Sequence, residues 1–125
     1  MSDKKVERLK ALDREALRLE ETAEILRWDQ ETYMPEEAID ARSEQLAILE
    51  SLAHERNTSD EVGSLLADLG STEDNPLGDP SLSDGERAFL RAKQRAYSLS
   101  TKLPADLVRR FAEVTNKAQA AWVKA

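Results

Sequence analysis

Histidine, serine, carboxylates and glycine are the residues from which a hydrolytic or metal site would be built. Their spacing in this chain supports few such sites. His54 is the single histidine, and there is no cysteine. His54-Glu55 opens like the zinc-protease pattern, in which two histidines one helical turn apart bind the metal and the glutamate serves as base. The second histidine would fall at position 58, which is Thr58. A di-iron bundle wants glutamate three residues before its histidine, and that position holds Ser51. His54 is therefore expected at a helix end, near the last carbonyls. No serine sits in a glycine-flanked elbow. Gly63, Gly70, Gly78 and Gly85 are too scattered for a phosphate loop. Glu20, Glu21 and Glu24, like Asp60 and Glu61, read as solvated faces or helix starts rather than acid–base pairs. The expectation is a chain with no catalytic residue and no metal ligand of its own.

The most unusual stretch is Trp28-Asp29-Gln30-Glu31-Thr32-Tyr33-Met34-Pro35, where aromatic and thioether side chains stand among carboxylates. Pro35 lacks an N–H and has φ near the helical value, which suits a first helical position. Glu36 and Glu37 follow, where negative charge complements a helix N-terminus. The stretch reads as a helix–turn–helix corner. Trp28, Asp29, Gln30 and Arg42 are the candidate residues here, either fixing the corner or facing a groove. Folding the second helix back on the first sets Asp29 and Arg42 at similar heights. An Asp29–Arg42 ion pair follows, with Glu31 within its reach; the alternative is that Arg42 extends to solvent.

The elements around this corner are helical. The chain has 125 residues, is 40% apolar and 34% charged, and has a net charge of −7, which suits one domain with a Leu- and Ala-built core. That acidity, with no basic stripe, argues against nucleic acid or an anionic membrane as partner. Nothing resembles a signal peptide or a membrane span, and the lack of cysteine fits a cytoplasmic location. A first helix is predicted from about residue 3 to 33, with Leu9, Leu12, Ala16, Leu19, Ala23 and Leu26 in a 3-4 seam. Val6, Leu17, Ile25 and Trp28 form a second stripe, which reads either as scatter or as a helix sandwiched between layers. At roughly 45 Å this helix outruns a compact globule with a radius of gyration of about 14 Å, so an elongated all-α bundle of about five helices is expected.

The second helix is predicted over 35–55, with Ala38, Ala41, Leu46, Leu49, Leu52 and Ala53 on its apolar face. Thr58-Ser59-Asp60-Glu61 has capping-box spacing and opens a third over 59–69, closed by Gly70. Residues 70–82 read as a flexible loop and the best internal boundary. Ser83-Asp84-Gly85-Glu86 repeats the capping box and opens a fourth helix over 84–102, with Phe89, Ala92, Ala96 and Leu99 as its stripe and Leu90 and Tyr97 on a neighbouring face. Pro104 starts a fifth over 104–125, where Leu107, Phe111, Val114, Ala118, Trp122 and Ala125 form one stripe, with Phe111 and Trp122 expected in a core or interface. The periodic pattern is still running at Ala125, as in a piece of a longer protein.

The corner octapeptide, followed by Ala38, Arg42 and Gln45-Leu46-Ala47, resembles the N-terminal region of the carboxypeptidase Taq family. Leu103-Pro104-Ala105-Asp106-Leu107-Val108, then Phe111-Ala112 and Lys117-Ala118-Gln119-Ala120-Ala121-Trp122, resembles a second block of the same family in the same order. The segment from Ser51 to Leu66 also fits. The resemblance implies an all-helical, usually homodimeric zinc metallocarboxypeptidase that releases residues from peptide C-termini. Its zinc ligands and catalytic glutamate lie downstream of the matched region, so none carries over to this chain. It implies that these residues form a cap or wall over the substrate groove and are inactive alone. The alternative from another functional class is a stand-alone helical interaction or dimerisation module.

Overall fold

The computed structural model describes residues 2–124. It is all-α: α1 (Ser2–Thr32), a short 3-10 turn (Glu36–Ala38), α2 (Ile39–Asn57), α3 (Asp60–Asp68), α4 (Asp84–Ser100) and α5 (Ala105–Lys124), with no strand among the described residues. The chain divides into two compact units, one made of residues 1–15 and 55–103, the other of residues 16–54 and 104–125. The unit borders therefore fall within α1, near the end of α2 and before α5. The loop 70–82, read above as the internal boundary, lies wholly inside the first unit.

The first unit has an aliphatic core of Val6, Leu9 and Leu12 from α1, Val62, Leu66 and Leu69 from α3 and its end, Leu82, and Leu90 from α4. Burying each of these side chains is worth about 1.5–3 kcal/mol before chain entropy is subtracted. Leu65, Phe89 and Tyr97 pack against its edge. Ser59, one residue later than the pattern suggested, caps α3 by accepting a hydrogen bond from the Val62 N–H at 3.3 Å. With Ser59 as the cap, the third helical position is Val62, which has no carboxylate to close a box, and Glu61 is instead held by Arg8 in a two-pronged pair at 2.7 and 2.9 Å. That hydrogen-bonded pairing holds the Glu61 carboxyl below the usual carboxylate range. The Ser83–Glu86 capping box is complete, with both reciprocal hydrogen bonds made.

The 70–82 segment is tied to the body. Gly70 adopts φ +77°, and the Ser71 and Gly70 N–H groups donate to the Leu66 and Ala67 carbonyls, which closes α3 in a Schellman arrangement. The Asp79 N–H donates to Leu69 O, Ser71 Oγ donates to Pro76 O, and Leu82 enters the core.

On α4 the buried positions are Leu90 and Lys93, so the core-facing side is the Leu90–Tyr97 face. Ala92, Ala96 and Leu99, expected to share the apolar stripe, are exposed. Lys93 is buried yet charged: its Nζ donates to Asp13 Oδ1 at 3.0 Å and Asn57 Oδ1 at 2.8 Å. Its four-carbon stem fills the core edge while the ammonium meets two polar partners, which satisfies the rule for a buried charge.

The second unit is built on small residues. Ala16 and Ala23 of α1, Leu46, Ala47 and Ala53 of α2 and Ala112 of α5 are buried, with Ser43 and Asn116 beside them. Of the expected first-helix seam, Leu9, Leu12, Ala16 and Ala23 are buried and Leu19 and Leu26 are half-buried. The second stripe is not a second buried layer: Val6 is in a core, but Leu17, Ile25 and Trp28 are exposed. The α5 stripe also departs from expectation. Leu107, Phe111, Val114 and Trp122 all face outward, Phe111 at 69% and Trp122 at 81% exposure. The buried α5 residues are Ala112 and Asn116, while the small Ala118 and Ala121 are exposed. No described helix is long and apolar enough to cross a membrane.

Candidate functional site

The corner after α1 belongs to the second unit. Thr32 Oγ1 donates to Trp28 O at 2.7 Å, and the Tyr33 and Met34 N–H groups both donate to Asp29 O at 2.9 and 3.0 Å. These bonds satisfy the end of the helix and turn the chain. Pro35 then takes φ −63° and ψ 147°, outside helical geometry, so it precedes the next helix instead of forming its first residue. The 3-10 turn, closed by Ala38 N–H to Pro35 O at 3.1 Å, delays α2 to Ile39. A proline ring disfavours helical geometry in the residue before it, which is consistent with the break at Met34.

Asp29 and Arg42 meet across this corner. Arg42 Nη2 lies 3.0 Å from Asp29 Oδ2, Nη1 donates to Leu26 O at 2.7 Å, and Nε donates to Gln45 Oε1 at 3.1 Å. The Arg42 side chain is only 14% exposed. One guanidinium thus ties the end of α1 to the start of α2. Glu31 is not part of the pair: its Oε1 accepts from Gln119 Nε2 of α5 at 2.7 Å. Arg27 reaches Glu24 and Glu50, adding a second α1–α2 link. Trp28 packs edge-on against Tyr33, with ring centroids 5.6 Å apart, and both rings remain largely exposed.

Gln30 points elsewhere. Together with Met34, Ile39 and Asp40 it lines a cavity of about 530 Å³ whose other wall is α5, at Lys117, Ala120, Val123 and Lys124. Gln30 Oε1 is buried and has no hydrogen-bond partner among the described residues. Lys124 Nζ stands 3.9 Å from Glu36 at the rim. The cavity joins apolar walls to a few polar groups, the usual composition of a ligand cleft. Its lining holds no serine, cysteine or histidine, and its polar groups include Thr32, Glu31, Asp40 and Lys117.

Of the four candidate residues, then, Asp29 and Arg42 are joined, Gln30 lines the cavity, and Trp28 stands at the exposed tip. The α5 residues that complete the cavity were not singled out, although Lys117, Gln119 and Ala120 lie in the second block that carried the family resemblance. Among the described residues no group of three or more His, Asp or Glu converges as a metal site would need. The sequence offers one histidine and no cysteine as nitrogen or sulfur donors to a metal.

Comparison with known proteins covers both the corner and the α5 block. The sequence pattern of the carboxypeptidase Taq (M32) metallopeptidases matches residues 8–125. The chain is 30% identical over 112 residues to thermostable carboxypeptidase 1 of Thermus thermophilus, which covers 90% of this chain and 21% of that protein. It is 30% identical over 101 residues to thermostable carboxypeptidase 1 of Pyrococcus furiosus, covering 81% of this chain and 19% of that protein. The chain thus spans about a fifth of the length of these relatives. No solved structure gives a significant match. A family pattern met over nearly all 125 residues, on a helical corner tied by Asp29 and Arg42, places this chain in the carboxypeptidase Taq (M32) metallopeptidase family.

Proposed function

We propose that these residues are the N-terminal cap or wall region of a zinc-dependent carboxypeptidase that releases amino acids from peptide C-termini. In this reading the enzyme works as a homodimer in the cytoplasm, its zinc and its catalytic glutamate come from residues outside these 125, and the chain alone is inactive. The family match over residues 8–125 carries the proposal. The outward apolar residues of the second unit are consistent with it: Ile25, Trp28, Leu107, Phe111, Val114 and Trp122 are exposed and available to be covered by the rest of a larger enzyme. The corner, cross-tied by Arg42, would present the Gln30 cavity to the groove as a preformed wall.

The test begins with the native gene product, detected in source cells with an antibody raised against this chain. A product several-fold larger than 14.0 kDa is expected. It should release C-terminal residues from a free-acid peptide, spare the same peptide as its C-terminal amide, and lose activity to a chelator, while the 125-residue chain does none of this. A product of the chain's own size, or a longer product without peptidase activity, would refute the proposal. The first of these results would favour the alternative, a stand-alone helical interaction module.

A further inference from the structure

A second concavity lies in the first unit, on the outward side of α4. Arg87, Arg91 and Arg95 line it at one-turn intervals, with Leu77, Ala88 and Ala92 as its apolar floor and a volume of about 510 Å³. Asp84 is the one acidic lining residue. None of the three arginines is ion-paired among the described residues, whereas Arg8, Arg27, Arg42, Arg56 and Lys93 each reach a carboxylate. Arg87 Nε is buried and has no hydrogen-bond partner there. In a chain of net charge −7, three guanidinium groups outside any salt bridge form a positive strip on one helix face that the sequence reading did not single out, with Asp84 at its edge and Asp79 within electrostatic reach of Arg87.

We propose that this strip is a docking site for an extended peptide segment carrying carboxylates at alternate residues. The spacing favours it. Arginines four residues apart on a helix stand about 6 Å apart along the axis. Side chains on one face of an extended peptide recur every two residues, at about 6.6 Å. Two or three Asp or Glu side chains therefore fall in register with the guanidinium forks, which bind carboxylates bidentately. The intervening residues of the peptide rest on Leu77, Ala88 and Ala92. A single-stranded nucleic acid has a comparable charge repeat, but no lining residue is aromatic, so bases have no stacking platform. The site lies outside the corner and its cavity, and its test does not depend on peptidase activity.

The probe is a fluorescein-labelled peptide with glutamate at alternate positions and small apolar residues between, titrated with the 125-residue chain and read by anisotropy. Binding is expected to weaken as salt is raised, and a peptide with lysine in place of glutamate should not bind. The double reversal Arg91→Glu/Arg95→Glu should weaken binding at least tenfold. Arg109→Glu/Arg110→Glu, an equal charge change on α5, should leave it within twofold. Circular dichroism melts of both variants verify that the fold is kept. Unchanged binding by the α4 variant, equal losses in both variants, or tighter binding of oligothymidylate through the same arginines would each overturn the proposal.

Discussion

Arg42 is the residue on which the corner depends, and its contribution can be worked from its contacts. Its guanidinium makes an ion pair with Asp29 and donates to Leu26 O and Gln45 Oε1. A hydrogen bond to a charged group is worth about 1.5–3 kcal/mol and one between neutral groups about 1 kcal/mol. The Asp29 side chain is 40% exposed, so water can take over part of what Arg42 gives it. The pair therefore sits between an exposed one, worth up to about 1 kcal/mol, and a buried one, where removing a partner costs about 3–5 kcal/mol. Arg42→Ala is expected to destabilise the second unit by about 3 kcal/mol, adding the lost carbonyl and amide contacts, and Asp29→Asn by about 1 kcal/mol. Their coupling should be about 1 kcal/mol. Both tryptophans, Trp28 and Trp122, lie in the second unit, so urea titration followed by tryptophan fluorescence reports on that unit. A coupling below about 0.3 kcal/mol, within the usual scatter of additive mutations, would mean that the contact is formed without consequence and would refute the reasoning.

Lys93→Ala should cost about 3 kcal/mol, because it deletes the buried stem and leaves Asn57 Oδ1 without its donor, whereas Lys93→Met, keeping the volume, should cost less than half as much in chemical denaturation. Gly78→Ala should destabilise by about 2–3 kcal/mol in the same assay, since φ is +73° and a Cβ would come within 2.7 Å of Leu69 O and 2.8 Å of Leu90 Cδ1. Acid should weaken the first unit in a defined direction. Glu86 and Asp79 are held below the usual carboxylate range by hydrogen bonds from Ser83 and Ser81, and Glu61 by Arg8. Their contribution is fully present above the unfolded pKa values, about 4, and is lost as the pH falls through the depressed folded ones. Glu86→Gln should lower stability at neutral pH and flatten the acid limb of a pH–melting profile.

Much of the local structure was legible in the sequence. Ser83-Asp84-Gly85-Glu86 predicts its capping box because the two partners are three residues apart, and Gly70 predicts the left-handed stop after α3. Asp29 and Arg42 can be paired on paper because only a corner separates them, so helix rise alone sets their heights. The boundary at Pro35 came out later than expected because proline's fixed φ suits both a helix start and the extended residue before one.

What only the tertiary structure decided is which face of each helix is buried. Periodicity shows that α4 and α5 have apolar stripes, but it does not say what each stripe meets. On α4 the Leu90 face won, because Val62, Leu66 and Leu82 cluster against it, and Lys93 went in with it. A lysine reads as surface until Asp13, eighty positions away, and Asn57 are brought to its ammonium. On α5 the side with Ala112 and Asn116 went inward and the stripe of Leu107, Phe111, Val114 and Trp122 stayed out, which the apolar periodicity alone does not give. Helix, cap and turn are decided by residues a few positions apart, so the sequence by itself determines them. Burial and charge pairing are decided by neighbours that are distant in sequence, so they exist only once the chain has folded.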